Sequence, residues 1–318
     1  MSNDMDSTQI DCGLAIHGGV GTLARGALTP EVEAAYRESL EEALEAGGSA
    51  LRGGGTSLDA VVAAVRVLED SPLYNAGRGS NYDERGVITM DASIMSSHLR
   101  DAGAVAGVAG VRSPIELARR VMEDTEHAFL IGEGAEALAR SLALDFEDAE
   151  FFHTDRRWAE LQAAKARGAG RPNVLGALEP EDRSGTVGAV AIDSAGALAA
   201  ATSTGGMANK TWGRVGDSPV IGAGTYASHL CAVSCTGWGE YFIRHAAAYD
   251  VHARMEYAGC DLGDAVKAVI WDSLHAAAPR SGGLVAIDGA GRVELCFSTP
   301  GMYRGWLDLS GRSHVAIF

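Results

Sequence analysis

Residues 185–206 read GTVGAVAIDSAGALAAATSTGG. Two apolar, strand-like runs flank Asp193-Ser-Ala-Gly196, a turn sequence suited to a hairpin. A hairpin symmetric about Ala195 sets Thr186 beside Thr204 at its open end. A second hairpin reads GGLVAIDGAGRVELCFST (282–299) and turns at Asp288-Gly-Ala-Gly291. Between them, helices fit 237–258, stopped by Gly259, and 261–277, stopped by Pro279. Further toward the N-terminus, GLAIHGG (13–19) is an apolar run ended by glycines, which predicts a buried strand. Thr29-Pro30 opens a helix expected to stop at Gly47-Gly48, and a second helix runs from Ser57 to just before Pro72. Segments 87–95 and 103–111 read as strands. Ser113-Pro-Ile-Glu116 reads as a capping box, with helices near 114–123 and 133–143 after it. Strands arrive in hairpins and helices in pairs, which argues for an α+β chain with antiparallel sheets faced by helices.

Residues 144–185 differ in texture. A helix fits 155–167, and GAGRPNVLGALEPEDRSG then reads as an exposed linker, the one candidate boundary in the chain.

The 318 residues are 47% hydrophobic and 21% charged, values of an ordinary globular protein. Acidic residues number 42 against 26 basic ones, a net charge of −16 that repels phosphate backbones and speaks against nucleic-acid partners. Lysine occurs only at 165, 210 and 267; scarce lysine with excess acid suits a salt-rich cytoplasm, and a biased genome composition produces the same pattern. The five cysteines form no C-x-x-C pair, so neither a disulfide framework nor a zinc site is indicated. No run of 18 apolar residues and no secretory leader is evident, so the expectation is a soluble, cytoplasmic protein without a membrane partner.

The familiar motifs are missing. There is no G-x-x-x-x-G-K-[ST], no H-E-x-x-H and no G-x-S-x-G. His17, before Gly18-Gly19, reads more readily as a hydrogen-bonded core histidine than as a catalytic one. The remaining chemistry lies in 185–237. The Thr186/Thr204 pair is either cross-strand packing or a pair of reactive hydroxyls. Arg214 and Asp217, in the loop GRVGDSP (213–219), form either a surface ion pair or a cradle for a zwitterionic amino acid. Thr236-Gly237 is either a helix cap or an oxyanion site.

Taken together, these segments resemble the plant-type asparaginase / isoaspartyl peptidase family of N-terminal-nucleophile hydrolases. The matching stretches are AIHGGVGT (15–22), LEDSPLYNAGRGS (68–80), MDAS with AGAVAGV (90–108) and IGEGAE (131–136). They continue with GTVGAVAID (185–193), ATSTGGMANK (201–210), GRVGDSP, SCTGWGE (234–240) and GGLVAID (282–288). The resemblance implies one four-layer αββα sandwich over 1–318. It also implies self-cleavage between Gly185 and Thr186 into an α chain (1–185) and a β chain (186–318), with part of the 144–185 linker lost or disordered afterwards.

What the resemblance further implies is a set of roles. Thr186 is the nucleophile, and its freed α-amine, of ordinary pKa about 7.7–8.0, is the base. Thr204 orients it, and Thr236 with Gly237 holds the oxyanion. Arg214 and Asp217 grip the substrate's α-carboxylate and α-ammonium, and Asn75 lies in the glycine-rich active-site loop. Trp238 narrows the leaving-group side. No cofactor is needed for catalysis, and a structural sodium ion is expected on backbone carbonyls near Leu68, Glu69, Ser71, Tyr74, Ala76 and Arg78. The activity implied is hydrolysis of β-aspartyl dipeptides and L-asparagine by a dimer of αβ units. Glycosylasparaginase activity and a non-cleaving aspartate-binding relative are the alternatives.

Overall fold

In the computed structural model, residues 10–11, 13–21, 26, 28–168, 185–308 and 311–318 are described. Thirteen strands in the described residues form two sheets. The larger runs β13 (Ser313–Ala316), β12 (Gly301–Leu307), β2 (Leu14–Gly21), β6 (Val187–Ile192), β7 (Leu198–Thr204), β3 (Met90–Ser96), β4 (Ala102–Val108), β5 (Phe129–Ile131). The smaller runs β1 (Ile10–Asp11), β11 (Arg292–Phe297), β10 (Gly282–Asp288), β9 (Cys231–Gly237), β8 (Thr225–Ala227). Pairing is antiparallel throughout except between β4 and β5. The β6/β7 register runs from Val187 opposite Ser203 to Ile192 opposite Leu198, the symmetric hairpin the sequence predicts.

Alternation along the strands divides the core in two. From β2 and β6, Leu14, Ile16, Val187 and Ala189 face one apolar cluster, shared with helices α1 (Pro30–Arg52), α2 (Ser57–Asp70) and α3 (Pro114–Asp124). Their neighbours Ala15 and Val190 face a second cluster with Val233, Leu284 and Ile287 of the smaller sheet. That second cluster extends to α7 (Gly239–His245), α8 (Ala247–Ala258) and α9 (Leu262–Lys267). Two shorter packing helices, α4 (Gly132–Ser141) and α5 (Ala149–Phe152), precede α6 (Asp155–Ala166). The chain is α+β, and no helix among the described residues is long and apolar enough to cross a membrane.

Several boundaries differ from the sequence reading, each for a local reason. Helix α1 passes through Gly47-Gly48 and ends at Arg52. A Cβ at Gly47 would lie 2.7 Å from a Leu14 methyl and 2.9 Å from the Ala60 carbonyl, and one at Gly48 2.6 Å from a Leu307 methyl, so these glycines let α1 approach β2, α2 and β12. Ser113 does not close a capping box. Its hydroxyl donates to Glu69 Oε2 at 2.6 Å, and the Ile115 N–H at the start of α3 donates to Glu69 Oε1. The helix expected over 237–258 is two, broken at Ala246 (φ 46°). The one expected over 261–277 passes from α9 into a π-helical stretch, Ala268–His275. In the 144–185 segment, α5 and α6 are folded, with Phe152 and Leu161 buried; the expected linker falls largely on 169–184, outside the described residues.

Candidate active site

The β6/β7 hairpin brings the two threonines together. Thr186 Oγ1 donates to Thr204 Oγ1 at 3.2 Å, and both residues are buried. Thr186 lies one residue ahead of β6, and its backbone N–H and carbonyl are met by side chains of other strands. Its N–H donates to Thr236 Oγ1 at 3.2 Å, and its carbonyl lies 2.9 Å from His17 Nδ1. Thr236 reaches it from β9 of the opposite sheet. Thr236-Gly237 therefore closes a strand, with α7 beginning only at Gly239, rather than opening a helix.

The Gly185-Thr186 peptide is crossed by another backbone at contact distance. A Cβ at Gly19 (φ +101°) would lie 2.7 Å from Gly185 Cα and 2.8 Å from Thr186 N. A Cβ at Gly185 would lie 2.8 Å from Gly19 Cα. Both positions require glycine for this approach.

Asn75, in the loop after α2, ties the preceding carbonyl. Its Nδ2 donates to Gly185 O at 2.8 Å and to Gly206 O at 2.7 Å, while its Oδ1 accepts the Asn81 N–H at 2.9 Å. Thr204 Oγ1 in turn accepts the Gly206 N–H at 3.0 Å. Lys210 supports the same turn from below, donating to Gly205 O at 2.8 Å and Thr89 O at 2.7 Å. Burial lowers the Lys210 ammonium pKa, and the Asp91 carboxylate opposes that shift.

Thr236 Oγ1 accepts from Val20 N and from Thr186 N, each at 3.2 Å. A hydroxyl has two acceptor sites and one proton. Both acceptor sites are used, which leaves the O–H of Thr236 as its remaining hydrogen-bonding function beside Thr186.

Arg214 and Asp217 meet over Gly239, where a Cβ would sit 2.7 Å from Asp217 Oδ1 and 3.0 Å from Arg214 Nη2. The sequence reading left out the third member, Glu240. Arg214 Nε and Nη2 donate to its two oxygens at 2.9 and 3.0 Å. Burial disfavours the Glu240 charge, but the Arg214 guanidinium outweighs it and holds the carboxyl below its ordinary value. Asp217 is buried, and burial pushes its carboxyl up to about 7 against the pull of Arg214. Its Oδ2 has no hydrogen-bond partner among the described residues. A buried, unpartnered carboxylate oxygen is costly alone and suits an incoming cation. Trp238 is buried, with its ring edge-on to Tyr241 at 4.9 Å between centroids. Among the described residues, no group of three or more His, Cys, Asp or Glu is placed to hold a metal ion.

His17 is the residue the sequence reading left nearest to the core alternative. It is fully buried, as that reading has it, but its Nδ1 contacts the carbonyl of Thr186 itself. The signal available in the sequence was its place immediately before the Gly18-Gly19 pair.

The profile of the family described as Asparaginase matches residues 10–317, and the chain belongs to that family. It is 49% identical to an isoaspartyl peptidase of Salmonella typhimurium, over 92% of this chain and 94% of that protein. It is 48% identical to an isoaspartyl peptidase of Escherichia coli, over 92% of each, and 40% identical to a plant-type L-asparaginase of Thermococcus kodakarensis, over 91% and 94%.

Proposed function

We propose that this chain is an autoprocessing threonine amidohydrolase that releases L-aspartate from β-aspartyl dipeptides and L-asparagine. The observation that carries the reading is the setting of one peptide bond. The Gly185 carbonyl oxygen accepts from Asn75, and the hydroxyl and N–H of the next residue meet Thr204 and Thr236.

In the first reaction the Thr186 Oγ1 attacks the Gly185 carbonyl carbon, and its proton passes to the departing Thr186 nitrogen. Asn75 Nδ2 stabilises the negative charge that develops on the Gly185 oxygen. The C–N bond breaks, leaving an ester between Gly185 and the Thr186 oxygen. Water hydrolyses that ester, giving a Gly185 carboxylate and a free Thr186 α-amine. In the mature protein the amine takes the Thr186 hydroxyl proton as Oγ1 attacks the substrate's side-chain amide. The Thr236 hydroxyl and the Gly237 N–H hold the oxyanion, and Thr204 aligns Oγ1. The leaving amine departs with a proton, and water releases aspartate from the aspartyl ester. Arg214 takes the substrate α-carboxylate on the guanidinium edge that Glu240 leaves open, and Asp217 Oδ2 takes the α-ammonium.

The αββα sandwich of N-terminal-nucleophile hydrolases belongs to the same proposal, supported by the two apolar clusters that link helices, sheets and helices in turn. A structural sodium ion on the carbonyls of Leu68, Glu69, Ser71, Tyr74, Ala76 and Arg78 fits the loop's chemistry. Leu68 and Glu69 lie in the last turn of α2, where carbonyls lack helical partners and carry the negative end of the dipole. Gly77 and Gly79 bring the backbone hard against the carbonyls of Glu69 and Tyr74. The ion would stiffen the loop that presents Asn75. By the same resemblance the mature protein is proposed to be a dimer of αβ units.

The test is aspartate release from β-aspartyl-leucine, L-asparagine and an aspartyl-glucosamine. Turnover of the first two supports the proposal, and turnover of the third alone replaces it with a glycosylasparaginase. Binding of aspartate without turnover of any would mark a binding protein. Two further results are expected. Arg214→Ala raises KM with little change in kcat, because a charge-assisted contact worth about 1.5–3 kcal/mol is lost. An unchanged KM in steady-state kinetics would place the carboxylate elsewhere. The pH dependence also splits. Asp217 is ionised only above about 7 in the free enzyme, and the Thr186 amine must be neutral to act as base. Below pH 7, kcat/KM therefore falls with a slope approaching two and kcat with a slope of one, since bound ammonium keeps Asp217 ionised. Equal slopes would remove Asp217 from substrate binding.

A further inference from the structure

Between the two sheets, under the nucleophile, runs a file of buried hydroxyls that the reaction above does not use. His17 Nε2 lies 2.9 Å from Ser234 Oγ, and Ser234 Oγ lies 2.7 Å from Thr202 Oγ1. Thr225 Oγ1 donates to Thr202 Oγ1 at 2.5 Å, and Ser93 Oγ lies 2.8 Å from Thr225 Oγ1. Ser93 has one proton for two contacts, Thr225 Oγ1 and the Ser218 carbonyl at 2.6 Å, next to Asp217. All five side chains are buried. The file is built into the fold, because Gly188 makes room for it. A Cβ there would lie 2.0 Å from Ser234 Oγ and 2.5 Å from His17 Nε2.

The direction of the protons follows from the two ends. Burial drives the His17 pKa down to about 3, against the pull of the Thr186 carbonyl, so the ring is neutral and carries one proton. A carbonyl only accepts, so that proton is on Nδ1 and points at Thr186 O. Nε2 then needs a donor, and Ser234 is placed to be it. Ser234 has a competing acceptor, the Ala201 carbonyl at 3.1 Å. With Thr225 donating to Thr202, the Thr202 proton has Ser234 at 2.7 Å, nearer than the Gly224 carbonyl at 3.3 Å. Receiving that proton leaves the Ser234 proton for His17 Nε2 at 2.9 Å, nearer than the Ala201 carbonyl.

We infer that His17 is a positioning residue for the nucleophile, held as its Nδ1–H tautomer by the Ser234–Thr202–Thr225 hydroxyl file so that it fixes the Thr186 carbonyl. The inference rests on Thr186 being the nucleophile. Once the chain is cut, Thr186 is a chain end joined to β6 through the Thr186–Val187 peptide, and the His17 contact holds the carbonyl of that peptide. A residue free to pivot there misplaces both Oγ1 and the amine, and misplacements of this kind cost about 10²-fold in rate.

The experiment uses the mature, self-cleaved protein and reads two quantities, the His17 tautomer by histidine nitrogen NMR and the kinetic constants. The wild type is expected to show neutral His17 protonated on Nδ1. Thr202→Val removes one hydroxyl at nearly constant shape. It is expected to let Ser234 turn to Ala201 O, shift His17 toward the Nε2–H form and lower kcat by about 10- to 100-fold. KM should stay within about twofold, and Thr202→Ser should restore both tautomer and kcat. If Thr202→Val does not fold, Ser234→Ala removes the donor itself and the same two quantities decide. An Nε2–H tautomer in the wild type overturns the inference, as does a fall in kcat with the tautomer unchanged or a tautomer shift with kcat retained. Failure of the underlying reading would show separately, as a wild-type chain that is never cut or a Thr186→Ala variant that turns over substrate.

Discussion

Thr186→Ala is expected to leave one uncut chain of 318 residues with no amidohydrolase activity. On the proposed mechanism the substitution removes the oxygen that attacks the Gly185 carbonyl, so the peptide bond survives. It thereby also keeps the α-nitrogen in an amide, where it has no basic lone pair. Nucleophile and base are lost together, and the loss should reach about the 10⁶-fold seen when an activated hydroxyl nucleophile is removed. The mutation is small in structural terms, since Thr186 lies outside the strand ladder and its N–H and carbonyl keep Thr236 and His17 as partners. A folded, uncut, inactive protein is therefore the expected product, read by denaturing mass and by aspartate release. Turnover above background in that variant would take Thr186 out of the reaction.

Thr236→Val should lower kcat by about 10²–10³ while KM changes little, the loss typical of one oxyanion donor. Hydrogen-bond capacity sets the size of this effect. Thr236 Oγ1 already accepts from Val20 N and Thr186 N, so its proton is the function left for substrate. Valine keeps the volume but removes the donor, and it also orphans two backbone N–H groups in the uncut chain. Self-cleavage of Thr236→Val should therefore be slower as well, and kinetics are measured on the fraction that has matured. A rise in KM with kcat preserved would move Thr236 from the oxyanion to ground-state binding.

Much of this arrangement is written locally in the chain. The β6/β7 register follows from where the turn residues Asp193 to Gly196 fall, and with it the Thr186/Thr204 contact. Thr29, Thr56 and Pro30 mark the starts of α1 and α2 because a side-chain cap acts within three residues. What escapes such reading is anything decided by a distant neighbour. Gly47-Gly48 looks like a helix stop until β2 and α2 are seen pressing on it. Ser113 looks like its own helix cap until Glu69, 44 residues away, is found to take its hydroxyl. The site divides in the same way. Arg214 and Asp217 stand three residues apart and are legible as a pair, whereas the bidentate hold of Glu240 on Arg214 depends on how α7 returns over the loop. His17 is the strongest case. Its partners Thr186 and Ser234 lie 169 and 217 residues away, and periodicity carries no trace of either.

The central claim is that one peptide bond in this chain is built to be cut by the residue that follows it. The mass of the purified, denatured wild-type protein tests it most directly, taken over a course of incubation at low and high salt. The account predicts a β chain that begins at Thr186 and an α chain that ends at Gly185, with the uncut precursor declining as the two appear. A chain that stays whole in both conditions, or a β chain that begins at any residue other than Thr186, would contradict it.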